Sequence, residues 1–288
     1  MMATAIPASG DNPLLTLGND LTVNRLGFGA MRITGRGVWG DPPDRSAAIA
    51  LLHRVVERGV NFIDTADSYG PETSERIIAE ALHPYPPGLV IATKGGLIRP
   101  GRDRWEPDCR PAHLREACEG SLKRLKLDRV DLYQLHTVDP DVPLQDSLGT
   151  LVELQREGKI RHIGVSNVNL RQLEQARKLA TVVSVQNRYN LTDRTHDGIV
   201  DTCARDGLAF LPWYPLSAGA LANSGGKLGV IARHHQATPL QIALAWLLRR
   251  SPMMLPIPGT SSIEHFEDNL AAKNIRLTEE DYALLTNS

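Results

Sequence analysis

The chain has 288 residues, with 32 Lys and Arg against 33 Asp and Glu. The charges nearly cancel, and no run of like charge offers a surface to nucleic acid or to an anionic membrane. The three cysteines, Cys109, Cys118 and Cys203, are odd in number and widely spaced, which fits neither a disulfide framework nor a zinc pattern and points to a reducing, cytoplasmic setting.

The N-terminal MMATAIPASGDNP has neither a basic flank nor a long apolar core, so no targeting or anchoring segment is expected, and no stretch approaches the roughly 18 apolar residues of a membrane helix. LLTLGNDLTVN (14–24) alternates on both sides of Gly18, Asn19 and Asp20 and reads as a β-hairpin, placed to plug the bottom of a barrel. RLGFGA (25–30) is the first strand candidate. AAIALLHRVVERG (47–59) repeats apolar residues at helical spacing and stops at Gly59. NFID (61–64) and LVIAT (89–93) are the next strands. A long loop over 95–108 precedes the helix PAHLREACEGSLKRLKL (111–127). The strand VDLYQL (130–135), the helix PLQDSLGTLVELQREGK (143–159), the strand IRHIGV (160–165) and the helix NLRQLEQARKLA (169–180) follow. VVSVQ (182–186) and LAFLP (208–212) are strands, then come a second long loop over 217–227, the helix TPLQIALAWLLRR (238–250) and the strand MMLPI (253–257). Eight strands alternating with helical segments favour a closed (β/α)8 TIM barrel of one domain, 1–288, over an open doubly wound sheet. Both long βα loops then lie at the C-terminal face, where such barrels build their sites.

Several strings resemble motifs without the context those motifs need. GRGVWG (35–40) spells G-x-G-x-x-G, but four residues part it from the strand and DPPD follows it, so no helix N-terminus faces a pyrophosphate. SGGKLG (224–229) lacks P-loop spacing and the hydroxyl residue after its lysine. His234 and His235 have no third ligand at suitable helical spacing and read as a solvated helix end, so no metal is expected. NLT at Asn190 is a glycosylation string in a chain with no secretory signal.

The polar residues at strand ends carry more. Asp64 ends the second strand, Lys94 the third, His136 the fourth, and Tyr69 lies on the loop after the second. Singly, these read as a cap, a surface cation and a core histidine. On successive barrel strands they converge on one rim. A free tyrosine has a pKa of about 10, too high for efficient proton exchange near neutrality. Lys94 beside it is expected to lower that value, Asp64 to keep the lysine charged, and His136 to position a carbonyl oxygen or share the proton with Tyr69. Such a set protonates an oxyanion as it forms, which is what carbonyl reduction asks of a protein when a cofactor supplies hydride.

LGFGAM, FIDTADSYG, IATKGG, LYQLHTVD, GKIRHIGVSN, VQNRYN, PWYPLSAGAL and PIPGTSSIEHFEDNLAA, in this order over almost the whole chain, resemble the aldo-keto reductase superfamily. The resemblance implies a (β/α)8 barrel, a nicotinamide cofactor bound extended, and the tetrad Asp64, Tyr69, Lys94 and His136, with Tyr69 as general acid. It implies nicotinamide contacts at Ser166, Asn167 and Gln186, ring stacking on Trp213, and a first-strand turn of Gly29, Ala30 and Met31 beneath the ribose. Leu216 and Ala218 match the pyrophosphate loop, and Gly259, Thr260, Ser261, Ser262, His265, Asp268 and Asn269 match the adenosine end. Where many NADPH-preferring members carry a lysine or arginine, this chain has Pro258, Thr260 and His265. NADPH is expected, with NADH open. GFGAMRITG, FIDTADSYGP, EALHPYPPGLVIATKGG and PGTSSIEH are similar to bacterial members that interconvert pyridoxal and pyridoxine. Arg32, Trp39 and Trp105 are the substrate-pocket candidates, and the end of the chain soon after DYALLTNS implies an open site for aromatic or heterocyclic aldehydes. A small-molecule carbonyl substrate and a monomer or weak homo-oligomer are expected. The alternatives are alcohol oxidation with NAD(P)+ and a cofactor-binding regulatory subunit with little turnover, since barrels of this family also serve as channel partners.

Overall fold

The computed structural model describes residues 12–217, 219, 221 and 226–287. Most of the N-terminal MMATAIPASGDNP segment and part of the 217–227 loop lie outside the described residues. In chain order the elements are β1 (Leu14–Leu17), β2 (Leu21–Asn24), β3 (Phe28–Gly29), α1 (Arg45–Glu57), β4 (Phe62–Asp64), α2 (Thr73–Leu82), β5 (Val90–Gly95), β6 (Leu97–Gly101), β7 (Arg104–Pro107) and α3 (Pro111–Leu125). Then follow β8 (Val130–Leu135), α4 (Leu144–Arg156), β9 (Ile160–Ser166), α5 (Leu170–Leu179), β10 (Val182–Arg188), α6 (Asp197–Asp206), β11 (Ala209–Trp213), α7 (Gly226–His234), α8 (Pro239–Arg250), α9 (Ile263–Ala271) and α10 (Glu279–Thr286).

A seven-stranded parallel sheet runs β11-β10-β9-β8-β5-β4-β3. Residues 253–258 close it as the eighth strand. On one side Phe210 N donates to Met253 O over 2.8 Å and Leu255 N to Phe210 O over 2.9 Å; on the other, Gly27 N donates to Pro256 O over 2.9 Å and Gly29 N to Pro258 O over 3.4 Å. This strand is only a thin ladder because Pro256 and Pro258 bring no N–H groups and serve as acceptors alone. The first strand is also shorter than RLGFGA suggests, since residues 30–33 turn into a 3-10 helix. Gly29 lets the chain do so: a Cβ there would stand 2.6 Å from Ile257 O.

Side-chain alternation divides the apolar residues into two layers. Phe62, Ala92, Leu132, Leu211 and Leu255 fill the barrel interior together with Leu15, Leu17, Leu21 and Val23 of the antiparallel β1–β2 hairpin, which seals that end. Asp20 at the hairpin turn binds Arg161 over 3.0 Å and His162 over 2.6 Å, fastening the plug to β9. Tyr133, Leu135 and Val165, from the opposite faces of the strands, pack outward against helices. Helix starts follow local chemistry: Asn169 with Gln172 and Thr238 with Gln241 form capping boxes on α5 and α8, each worth about 1 kcal/mol. Among the described residues no helix is long and apolar enough to cross a membrane.

Candidate active site

Adjacent parallel strands end at one rim, and the polar residues at those ends meet there. Lys94, fully buried on β5, directs Nζ to Asp64 Oδ2 at 2.7 Å, to Thr65 O at 2.8 Å and to the Tyr69 hydroxyl at 3.3 Å. These three acceptors match the three N–H bonds of an ammonium. Asp64 uses its second oxygen to accept from Gln186 Nε2 at 2.8 Å and Gln134 Nε2 at 3.2 Å. His136, one residue beyond β8, sets its ring edge-on to Tyr69 with centroids 5.9 Å apart, and its Nδ1 lies 3.3 Å from Ser68 Oγ. The four sequence-predicted residues thus form one cluster.

Burial strongly affects their charges. It pushes the Tyr69 phenol up, and although the Lys94 ammonium pulls the other way, the Asp64 carboxylate adds to burial and the net shift is upward. The expectation that Lys94 would bring Tyr69 down is therefore corrected: in a buried site the cost of an unsolvated phenolate exceeds the gain from one ammonium that is already paired. Burial alone would pull Lys94 down, but Asp64 and Tyr69 hold it above its ordinary value, so it carries a charge. Burial and then Lys94 push His136 well below the usual histidine range, so its imidazole is neutral. The arrangement holds a protonated phenol, a buried ammonium and a neutral imidazole around one point.

The residues matched to the nicotinamide end lie beside this cluster. Ser166 Oγ donates to Gln186 O over 2.7 Å. Asn167, at φ 56°, donates from Nδ2 to His136 O over 2.9 Å and accepts at Oδ1 from Trp213 Nε1 over 3.0 Å. That bond fixes the orientation of the half-buried Trp213 indole at the end of β11. Gly29 and Gly259 meet backbone to backbone, since a Cβ on Gly259 would stand 2.7 Å from Gly29 O. Ala30 is buried and Met31 half-buried in the turn after β3. Thr260 Oγ1 accepts from Ser262 N at 3.0 Å, and Ser262 caps α9 by accepting from His265 N at 3.3 Å. Ser261, His265 and Asp268 are exposed around that helix start, while Asn269 is buried. Leu216 is half-buried against the outer apolar layer, and Ala218 lies outside the described residues.

The pocket candidates separate. The turn that holds Trp39 is closed by a bond from Gly35 N to Gly40 O at 2.9 Å, and a bond from Gly40 N to Gly70 O at 2.6 Å ties it to the residue after Tyr69. The glycines of GRGVWG thus serve a tight loop, and a Cβ on Gly35 would stand 2.4 Å from Trp39 O. Trp105 meets Tyr69 edge-on, with centroids 6.3 Å apart. Arg32, in the turn after β3, is exposed and runs past Gly259, its Cγ 3.6 Å from where a Cβ would be, against the loop matched to the adenosine end.

Some members of the cluster were not foreseen. Gln134 lies two residues before His136 on the inward parity of β8, and a glutamine inside VDLYQL was the available signal. Ser68 gave none, because loop sequence does not reveal what a side chain will reach. The long 95–108 loop is largely the antiparallel pair β6–β7, hidden by its Pro, Gly and Asp content.

Asn190 is buried, with Nδ2 bonded to Tyr214 O at 3.1 Å. All three cysteines are buried and free, and burial pushes each thiol up to about 12. His234 and His235 do have a carboxylate neighbour, Asp281 of α10, with ligand atoms within 4.8 Å of one another. Asp281 Oδ2, however, is engaged by His235 at 2.8 Å and by the Thr278 hydroxyl at 2.8 Å.

Comparison with known proteins places the chain from residue 25 onward. A profile of the Aldo/keto reductase family matches residues 25–288. An uncharacterized oxidoreductase of Schizosaccharomyces pombe, C215.11c, is 48% identical over 266 residues, 92% of this chain and 87% of that protein. Pyridoxine 4-dehydrogenase of Escherichia coli is 44% identical over 271 residues, 92% of this chain and 94% of the other. The crystal structure of an aldo/keto reductase from Klebsiella pneumoniae in complex with NADP and acetate superposes with a TM-score of 0.83 at 28% identity, covering 96% of this chain and 95% of that one. The chain belongs to the aldo/keto reductase family.

Proposed function

We propose that this chain reduces an aldehyde or ketone to the alcohol with NADPH, and that Tyr69 gives the proton to the carbonyl oxygen. The observation that carries the reading is the Lys94 ammonium, fully buried and bonded at once to Asp64 and to the Tyr69 hydroxyl. A buried lysine at that position has a cost, which a proton-transfer role for its neighbour explains.

The residues present fit a nicotinamide cofactor. Gln186 spends its N–H groups on Asp64 Oδ1 and Gln134 Oε1 and keeps its carbonyl oxygen for an incoming amide. Trp213 offers a flat face held by Asn167. At the other end, the Thr260 and Ser262 hydroxyls act as acceptors toward backbone N–H groups and retain O–H protons to donate to a phosphate at the start of α9, where the helix dipole favours an anion. Arg32 beside Gly259 supplies the cation that the adenosine-end loop itself lacks. When bound, the cofactor supplies hydride.

The protein's share is positional and electrostatic. Neutral His136, with Nδ1 facing Ser68 Oγ, presents Nε2 to the substrate oxygen and orients it. Tyr69 holds its proton at neutral pH because burial keeps the phenol up, and it releases that proton only to an oxygen gaining negative charge. Lys94 then stabilises the phenolate left behind, and Asp64 keeps Lys94 in place.

Pyridoxal is the proposed substrate, on the 44% identity to a protein named for pyridoxine and on the Trp105 indole set edge-on to Tyr69. Oxidation of NADPH, and separately of NADH, against pyridoxal, 4-nitrobenzaldehyde and a keto sugar tests the reading. Fastest turnover of pyridoxal with NADPH is expected. Turnover of none of the three, despite cofactor binding, would overturn it.

A further inference from the structure

Arg99 ties together three segments that build the mouth of the site. It lies on β6, is 8% exposed, and gives its N–H groups to backbone carbonyls. Nε bonds Arg104 O at 2.9 Å, Nη1 bonds Val38 O at 2.9 Å and Ser68 O at 3.2 Å, and Nη2 bonds Gly37 O at 3.1 Å. Val38 and Gly37 belong to the turn that carries Trp39, Ser68 precedes Tyr69, and Arg104 precedes Trp105. The guanidinium carbon also lies 3.7 Å from the Trp105 ring centroid and 5.5 Å from that of Trp39.

This geometry asks for arginine. A planar fork with five N–H groups can bond acceptors in several directions within one plane while its faces stack on aromatic rings. Lysine has a point charge and three donors on a flexible stem, and cannot do both. The hydrogen bonds set the spacing of the two loops, and the stacking sets the tilt of the indoles. Trp105 retains 38% of its surface exposed, so part of its ring is open to a ligand, and its edge contact at 6.3 Å refers that ring to Tyr69.

We propose that Arg99 is the positioning residue for substrate selectivity: by fixing Trp39 and Trp105 as two indole walls beside Tyr69, it makes the site prefer flat aromatic carbonyl substrates to saturated ones of equal bulk. The proposal rests on the carbonyl-reductase reading above. Arg99 acts through the indoles and takes no part in the proton transfer.

Benzaldehyde and cyclohexanecarbaldehyde separate flatness from bulk. With the full-length protein and saturating NADPH, the ratio of their kcat/KM values is compared in the unsubstituted chain, Arg99→Met, Arg99→Lys and Trp105→Ala. Arg99→Met is expected to lower the benzaldehyde preference about fivefold, the scale of one well-set aromatic contact, through KM for benzaldehyde. Arg99→Lys, which keeps the charge without the fork, should not restore it, and Arg99→Met added to Trp105→Ala should change the ratio little further. Equal loss for both aldehydes, a ratio unchanged in Arg99→Met, or full rescue by lysine would overturn the proposal. Should Arg99→Met fail to fold, Trp105→Ala and Trp39→Ala decide, because an unchanged ratio in both removes the walls from the account. Binding of benzyl alcohol against cyclohexylmethanol, followed by quenching of tryptophan fluorescence, reads the same preference without turnover. Absence of turnover in the unsubstituted chain would count against the reductase reading, while these binding ratios would still decide the role of Arg99.

Discussion

Lys94 Nζ lies 3.3 Å from the Tyr69 hydroxyl, and both groups are buried. The lysine remains charged there because Asp64 is 2.7 Å away on its other side, so pairing and function are separable. Lys94→Met should cut turnover by about 10² or more, through loss of phenolate stabilisation. It should also destabilise the fold by about 3–5 kcal/mol, since Asp64 is left buried without its counter-ion. Adding Asp64→Asn removes that unpaired charge and should recover much of the stability with none of the turnover. Denaturant unfolding beside steady-state rates checks both; parallel recovery of the two would contradict the assignment.

The direction of reaction should depend on pH in opposite senses. Reduction needs the protonated phenol, and burial keeps Tyr69 above its ordinary value, so the reductive rate should hold through neutrality. Alcohol oxidation needs the phenolate and should rise steadily into the alkaline range. Profiles of kcat in both directions check this, and a shared neutral optimum would contradict it.

Asp67 is half-buried, but its Oδ1 is sealed from solvent without a partner, and burial followed by the Glu75 carboxylate pushes its carboxyl up to about 8. Unfolding restores an ordinary carboxyl, so the unfolded chain gives up a proton from about pH 4 upward while the folded chain keeps it until about 8. Through that window the folded state is progressively disfavoured. The neutral Asp67→Asn should therefore stabilise by about 2 kcal/mol at pH 8 and by little near pH 4. Thermal melts at both values are the check, and equal effects at the two would contradict the linkage.

Arg32 passes beside Gly259. If it completes the adenosine end, Arg32→Ala should weaken NADPH binding about tenfold, as expected for loss of one charged hydrogen bond, and NADH binding much less. Fluorescence titration with each cofactor measures the two constants. Equal weakening would return Arg32 to a general role.

The sequence was most informative where topology leaves little freedom. A parallel barrel must bring its strand ends to one rim, so placing Asp64, Lys94 and His136 at strand ends was enough to bring them together. MMLPI was readable as the closing strand from its apolar run, though prolines reduce it to a few backbone bonds. What stayed hidden depended on distances. The net upward shift of Tyr69 follows from how deeply it is buried and from Asp64 already holding the lysine. Arg99 was indistinguishable from any loop arginine, because its partners come from residues 31 to 62 positions away as well as from its own hairpin.

Tyr69→Phe tests the central claim most directly, since it removes one oxygen and keeps the ring. NADPH oxidation with the best carbonyl substrate should fall by 10² or more, roughly the contribution of a general acid, while the NADPH dissociation constant stays within about twofold. Turnover near that of the unsubstituted chain would show that the proton comes from elsewhere and contradict the account.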